Sequence, residues 1–84
     1  MLFMIIEHFK DVSAIGERFR ATGRMLPEGV IYKNSWIDPS RLRCFQVMEA
    51  VNAGAFCPWL EFWDDLVEFE VIPITSSEEF WSAR

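Results

Sequence analysis

Val30-Ile31-Tyr32-Lys33-Asn34-Ser35-Trp36-Ile37-Asp38-Pro39-Ser40-Arg41-Leu42-Arg43-Cys44-Phe45-Gln46-Val47-Met48-Glu49 is the segment that decides the fold. Val30 to Ile37 interleaves β-branched and aromatic residues with polar ones, the pattern of a strand with two unlike faces. Asp38, Pro39, Ser40 and Arg41 are turn-forming types, and Leu42 to Glu49 resumes the alternation, so the segment is expected to form a β-hairpin. With Asp38–Arg41 as a four-residue loop, Ile37 pairs with Leu42, Ser35 with Cys44 and Lys33 with Gln46 on one face, while Trp36, Asn34 and Tyr32 take the other. The face of Ser35, Cys44, Gln46 and Met48 is the less apolar and suits the wall of a ligand space. Phe45 and Val47 suit a core covered by helices. A slip of one residue exchanges the two faces.

Upstream, residues 2–8 are apolar at both parities, as expected of a central strand covered on both sides. Asp11 or Ser13 can cap a helix whose Val12, Ile15 and Phe19 recur at helical spacing and face inward, and Gly23 supplies its stop. Pro27, Glu28 and Gly29 then turn the chain into the hairpin. Downstream, Asn52 and Gly54 break the chain before Phe56, Trp59, Leu60 and Trp63, one helical stripe of large apolar groups. Pro58 places the start of the regular helix near Cys57 or Pro58, after an irregular turn. Leu66 to Ile74 is a last strand in which Pro73 marks an edge position or a strand end. Thr75 to Glu78 and Ser76 to Glu79 each match a capping box, which predicts a short terminal helix carrying Phe80 and Trp81.

The order strand, helix, strand, strand, helix, strand, short helix predicts one α+β domain over residues 1–84. Right-handed crossovers turn that order into a ferredoxin-like βαββαβ four-stranded antiparallel sheet with both long helices on one face. The opposite sheet face is left bare. The chain has 84 residues, of which 51% are hydrophobic and 15% aromatic, more apolar bulk than so short a chain can hide alone. A homodimer is therefore expected, with the bare face meeting an identical sheet.

Eight basic residues against thirteen acidic ones give a net charge of −5, which argues against nucleic acid as a partner. Arg18, Arg20 and Arg24 read as a solvated face diluted by Glu17. The longest apolar run, Leu2 to Ile6, is too short to span a bilayer, and the first residues lack a basic signal region, so the expectation is a cytoplasmic protein with no membrane partner. Cys44 and Cys57 lack CxxC or CxxH spacing and read as free thiols rather than metal ligands.

Met1-Leu2-Phe3-Met4-Ile5-Ile6-Glu7, Met25-Leu26-Pro27-Glu28-Gly29-Val30, Ser35-Trp36, Cys44-Phe45-Gln46-Val47-Met48-Glu49 and the run from Trp63 to Pro73 together resemble a family of short, mainly bacterial proteins catalogued only as a domain of unknown function. The resemblance covers nearly the whole chain. That family is similar in pattern to the dimeric α/β-barrel superfamily, in which two ferredoxin-like sheets close around a central space. What the resemblance implies is a fold and a dimer. The superfamily includes cofactor-independent monooxygenases, isomerases, haem-binding enzymes and non-catalytic binders, so it does not select a reaction.

His8 is the sole histidine, which excludes a two-histidine metal site or a Ser-His-Asp relay within one chain. It can still move a proton, ligate haem or simply close a strand end. The first candidates for ligand contact are His8, Trp36, Cys44 and Gln46, around a small apolar or aromatic ligand between the two sheets. Cys44 has no neighbouring base in sequence to activate it. Trp59 and Trp63 belong to the core stripe. Asp64, Asp65, Glu68 and Glu70 are acidic, but Glu68 and Glu70 alternate with Val67, Phe69 and Val71 and so point to solvent. No cofactor or metal motif is present, and the catalytic residues, if any, are not specified. The function expected is a homodimeric small-molecule binder or cofactor-independent enzyme. The alternative is a non-catalytic interaction module whose bare sheet face serves dimerisation alone.

Overall fold

A computed structural model describes residues 1–84. Its elements are β1 (Leu2–Phe9), α1 (Val12–Thr22), β2 (Ile31–Asp38), β3 (Arg43–Glu49), a 3₁₀ turn (Ala53–Phe56), α2 (Cys57–Trp63), β4 (Val67–Ile74) and α3 (Ser77–Ser82). The strands form one antiparallel sheet in the order β2-β3-β1-β4. With α1 and α2 on the same side, this is the ferredoxin-like βαββαβ arrangement expected from the element order. Pro73 falls in β4, an edge strand, where a missing N–H costs no central ladder bond.

Local chemistry accounts for the element ends. The Asp11 carboxylate accepts a hydrogen bond from the Ala14 N–H at 3.0 Å and starts α1, and the Gly23 N–H closes its last turn on the Phe19 carbonyl at 2.7 Å. Pro58 stands in the first turn of α2, where no intrahelical donor is needed. Ser76 accepts from the Glu79 N–H at 3.0 Å and starts α3.

The core is built on the stripe Phe56, Trp59 and Trp63, all buried, against Phe3 and Ile5 of β1 and Met48 of β3. Phe3 meets Phe56 edge-on at 5.1 Å, and Trp59 tilts against Phe69 at 5.0 Å. Each of these large side chains contributes on the order of 2–3 kcal/mol by burial. Their bulk demands modest partners on the sheet. Cys44, Gln46 and Met48 therefore face the helices, and Phe45 and Val47 face away.

This reverses the sides expected for the hairpin faces. Ser35, Ile37, Cys44 and Gln46 do share one face, but it is the helix-covered one. The pairing also shifts: Ile37 lies opposite Cys44 and Ser35 opposite Gln46, because the loop is Pro39 to Leu42 rather than Asp38 to Arg41. Asp38 sets that loop by accepting from the Ser40 N–H at 3.1 Å and the Ser40 hydroxyl at 2.7 Å, while Arg43 donates to its other oxygen. These contacts hold the Asp38 carboxyl down at about 2, the Ser40 hydroxyl having the largest influence and Arg43 the next. A register irregularity between Tyr32 and Asn34 then carries Tyr32 onto the Ser35 face, away from Trp36.

Helix α1 buries no side chain. Ile15 packs against the core as expected, but Val12 and Phe19 are exposed. The helix is tied down by Arg18, which donates to the Phe62 carbonyl at 2.7 Å and makes two bonds to the Asp65 carboxylate at 2.9 and 2.7 Å. Arg18 is thus not part of a solvated basic face.

Leu42 closes the hairpin loop at φ 54°, a conformation that suits glycine, and its side chain is exposed. Leu42→Gly is expected to leave the fold intact and raise stability by up to about 1 kcal/mol in urea unfolding. A loss of stability would show that the Leu42 side chain contributes more than its backbone conformation costs.

Candidate functional site

Between α1, α2 and the sheet lies a cavity of about 260 Å³. It has room for roughly eight water molecules or a ligand of similar size. Trp59, Trp63, Val67 and Ile15 form its apolar walls, and the exposed Phe19 and Ile37 stand at its mouth. Its polar members are Glu7, Arg24, Ser35, Cys44 and Gln46.

Glu7 and Gln46 reach this space through strand parity. Glu7 follows Phe3 and Ile5 on the inward side of β1, and Gln46 lies between Cys44 and Met48 on the inward side of β3. Glu7 is 9% exposed and Gln46 3%. The Gln46 side-chain N–H donates to Oε2 of Glu7 in a short hydrogen bond, and its carbonyl oxygen accepts from Nε of Arg24 at 3.2 Å. One amide therefore joins a buried carboxyl to a guanidinium. Oε1 of Glu7 accepts no hydrogen bond from the protein and is not sealed off from the cavity that Glu7 lines.

Arg24 arrives from the connection between α1 and β2. The backbone turns through positive φ on both sides of it, 71° at Gly23 and 60° at Met25, and the Arg24 carbonyl accepts from the Trp63 indole N–H at 3.0 Å. Its guanidinium lies 3.9 Å from the centre of the Tyr32 ring and 5.5 Å from that of Phe19. Nη2 reaches the Ser35 hydroxyl at 3.5 Å, and that hydroxyl shares a 2.6 Å hydrogen bond with Tyr32. Nη1 has no protein partner. The expectation that Arg24 is solvated is corrected here: a half-buried cation faces a half-buried ring and a buried amide.

Burial pushes the Glu7 carboxyl up to about 7, outweighing the charge of Arg24 and the hydrogen bond from Gln46, which both favour ionisation. The same loss of solvent raises the Cys44 thiol to about 12, with the Glu7 charge adding to it, so Cys44 is a neutral wall rather than a nucleophile.

The four residues singled out from sequence separate onto two faces. Cys44 and Gln46 line the cavity. His8 and Trp36 lie on the opposite sheet face, where His8 is 2.8 Å from a Glu70 carboxylate oxygen and Trp36 is 54% exposed. Glu68 and Glu70 project from β4 as expected, and Asp65 is held by Arg18, whose hydrogen bond lowers its carboxyl. Glu7 and Arg24 were not identified from sequence. The available signal was parity: Glu7 continues the apolar side of β1 that Phe3 and Ile5 begin.

A carboxyl raised from 4.5 to about 7 binds its proton more tightly in the folded chain than in the unfolded one. Its contribution to stability is whole below pH 4.5 and is lost as pH rises through about 7, a change of roughly 3 kcal/mol. Glu7→Gln is expected to be more stable than the parent at pH 8 by an amount of that order, with the gap closing toward pH 4.5. Urea unfolding across that range checks it, and a gap independent of pH would contradict the cause given for the shift.

No helix is long and apolar enough to cross a membrane. No curated protein and no solved structure matches the chain. A family match does exist and runs over residues 1–83, taking in every element from β1 to α3. The chain belongs to the family described as domain of unknown function DUF3303.

Proposed function

We propose that this chain is a homodimeric binder of a small, largely apolar ligand, held in the cavity between the helices and the sheet, with cofactor-independent acid–base chemistry available at the site. The observation that carries the reading is the unpaired oxygen of Glu7 in a cavity lined mainly by aromatic and aliphatic side chains. That oxygen is accessible rather than sealed in the interior, so a ligand offering a hydrogen-bond donor, or a carbonyl when Glu7 carries its proton, can engage it. The cavity is near the small end of ligand sites, roughly 300 Å³ and upward, which suits a single ring system better than an extended molecule.

Support for the dimer comes from the other sheet face. Leu2, Met4 and Ile6 of β1, Phe45 and Val47 of β3, and the exposed Trp36 and Ile72 make it apolar across all four strands. Three strands of eight residues and one of seven present roughly 500 Å² of flat face, and side-chain relief raises this toward the about 800 Å² per partner of a stable interface. Polar pairs stand at its ends: the His8–Glu70 hydrogen bond and the ion pairs of Arg43 with Asp38 and Lys33 with Glu49. A twofold pairing of such a face buries its apolar centre and keeps the charges at the rim. The free thiols of Cys44 and Cys57 suit a reducing, cytoplasmic setting.

The two halves of the proposal have separate tests. Titration of ¹⁵N-labelled protein with 2-naphthol is expected to move the indole N–H signals of Trp59 and Trp63 and leave that of Trp36 in place. A response confined to Trp36 would put the ligand between sheets instead. In sedimentation equilibrium the parent is expected to be a dimer and Val47→Lys a folded monomer. A monomeric parent at micromolar concentration removes the dimer.

A further inference from the structure

Two side chains that line the same cavity each keep a polar atom with no protein partner: Glu7 its Oε1, an acceptor, and Arg24 its Nη1, a cationic donor. Gln46 bonds to both side chains and fixes their relative position. A base and a cation presented together to an apolar pocket are the parts needed to take a proton and to hold the negative charge left behind. The low polarity of the pocket strengthens both interactions.

The surroundings narrow the substrate. Arg24 is the only other charged group on the cavity wall, and Cys44 is the only other titratable one, neutral at working pH. α1 supplies Ile15 and Phe19, α2 supplies Trp59 and Trp63, and β4 supplies Val67, none of which titrates. An anionic substrate would neutralise Arg24 and set a second negative charge beside Glu7, so an uncharged molecule fits better. The indole walls favour a flat one.

We propose that Glu7 removes a proton from the carbon next to the carbonyl of a small, flat, uncharged ketone or lactone, and that Arg24 stabilises the enolate oxygen so formed. The C–H bond breaks and its electron pair forms the C=C bond of the enolate. The carbonyl π pair moves to oxygen, where the Arg24 guanidinium donates to it, and the proton forms a bond to Oε1 of Glu7. Once the Glu7 proton has been replaced by one from solvent, its delivery to the same carbon gives exchange, and delivery of a proton to a conjugated carbon gives isomerisation. No oxidant, reductant or second substrate is required. The inference rests on the binding reading above and adds a reaction class to it.

The test uses 2-indanone in D₂O, followed by ¹H NMR for loss of its C1 and C3 hydrogens, with binding read from the indole N–H signals of a parallel sample in H₂O. The parent is expected to accelerate the loss over protein-free buffer, with a rate that rises as pH passes through about 7, where Glu7 ionises. Glu7→Gln should reduce the acceleration at least about a hundredfold while the Trp59 and Trp63 signals still respond to the ketone. Arg24→Gln should reduce it as well and move the rise to higher pH, because the Arg24 charge favours ionisation of Glu7. Because the pH profile is read on the parent, the proposal stands or falls even if a variant does not fold. Binding of 2-indanone without exchange overturns the proton transfer and leaves the binding site. Binding of 2-naphthol but not of 2-indanone overturns the carbonyl class, and binding of neither overturns both readings.

Discussion

The packing of one short helix on one strand sets the rest of this molecule. α2 offers Phe56, Trp59 and Trp63 to the sheet, and the inward side of β1 answers with Phe3 and Ile5. Strand parity is then fixed for β1 and, through the ladder, for β3. Glu7 must continue inward, and Cys44, Gln46 and Met48 must follow it. Had β3 been paired one residue out of step, Phe45 and Val47 would crowd rings already in contact, and overpacking of that kind typically costs about 1–3 kcal/mol. The same choice sends Phe45, Val47 and Met4 to the bare face. Cavity polarity and the apolar outer face of the sheet are therefore two outcomes of one packing decision.

Inside, Glu7 is tolerated because its burial is shared. The Gln46 amide donates to it and accepts from Arg24, so a cation lies within electrostatic reach without forming a direct ion pair. A fully paired carboxylate would titrate low and be locked ionised; an isolated one would be locked protonated. One amide between carboxyl and guanidinium leaves the group near neutrality, able to hold either state. Elsewhere the interior is well satisfied: the indole N–H of Trp59 is the one fully enclosed side-chain polar atom without a partner.

Much of the architecture was legible in the chain. Asp11, Pro58 and Ser76 marked helix starts, the 56-59-63 spacing marked the stripe, and the strand order followed from right-handed crossovers. The sidedness of the hairpin was not legible, because both parities of β3 carry residues that can be buried. Deciding between them needs the volume of what lies on top, which belongs to α2 and not to the hairpin. The loop boundary was missed by one residue because Leu42, an unlikely type for positive φ, closes it. The site was half visible. Gln46 and Cys44 were grouped on one strand face, but that face was expected between two sheets and lies under the helices, while Glu7 was read as part of an apolar run and Arg24 as surface. Arg24 in particular depends on backbone angles at Gly23 and Met25 that no periodicity encodes.

Helix α1 sits over the cavity without burying a single side chain, tethered chiefly through Arg18 to Phe62 and Asp65. Segments held in this way detach at a fraction of the free energy needed to unfold the whole domain. Release of this one amphipathic cover therefore breaks neither the sheet nor the aromatic stack. The strands form the rigid floor, and a partly exposed ion pair is the main polar tie that holds the first helix above it.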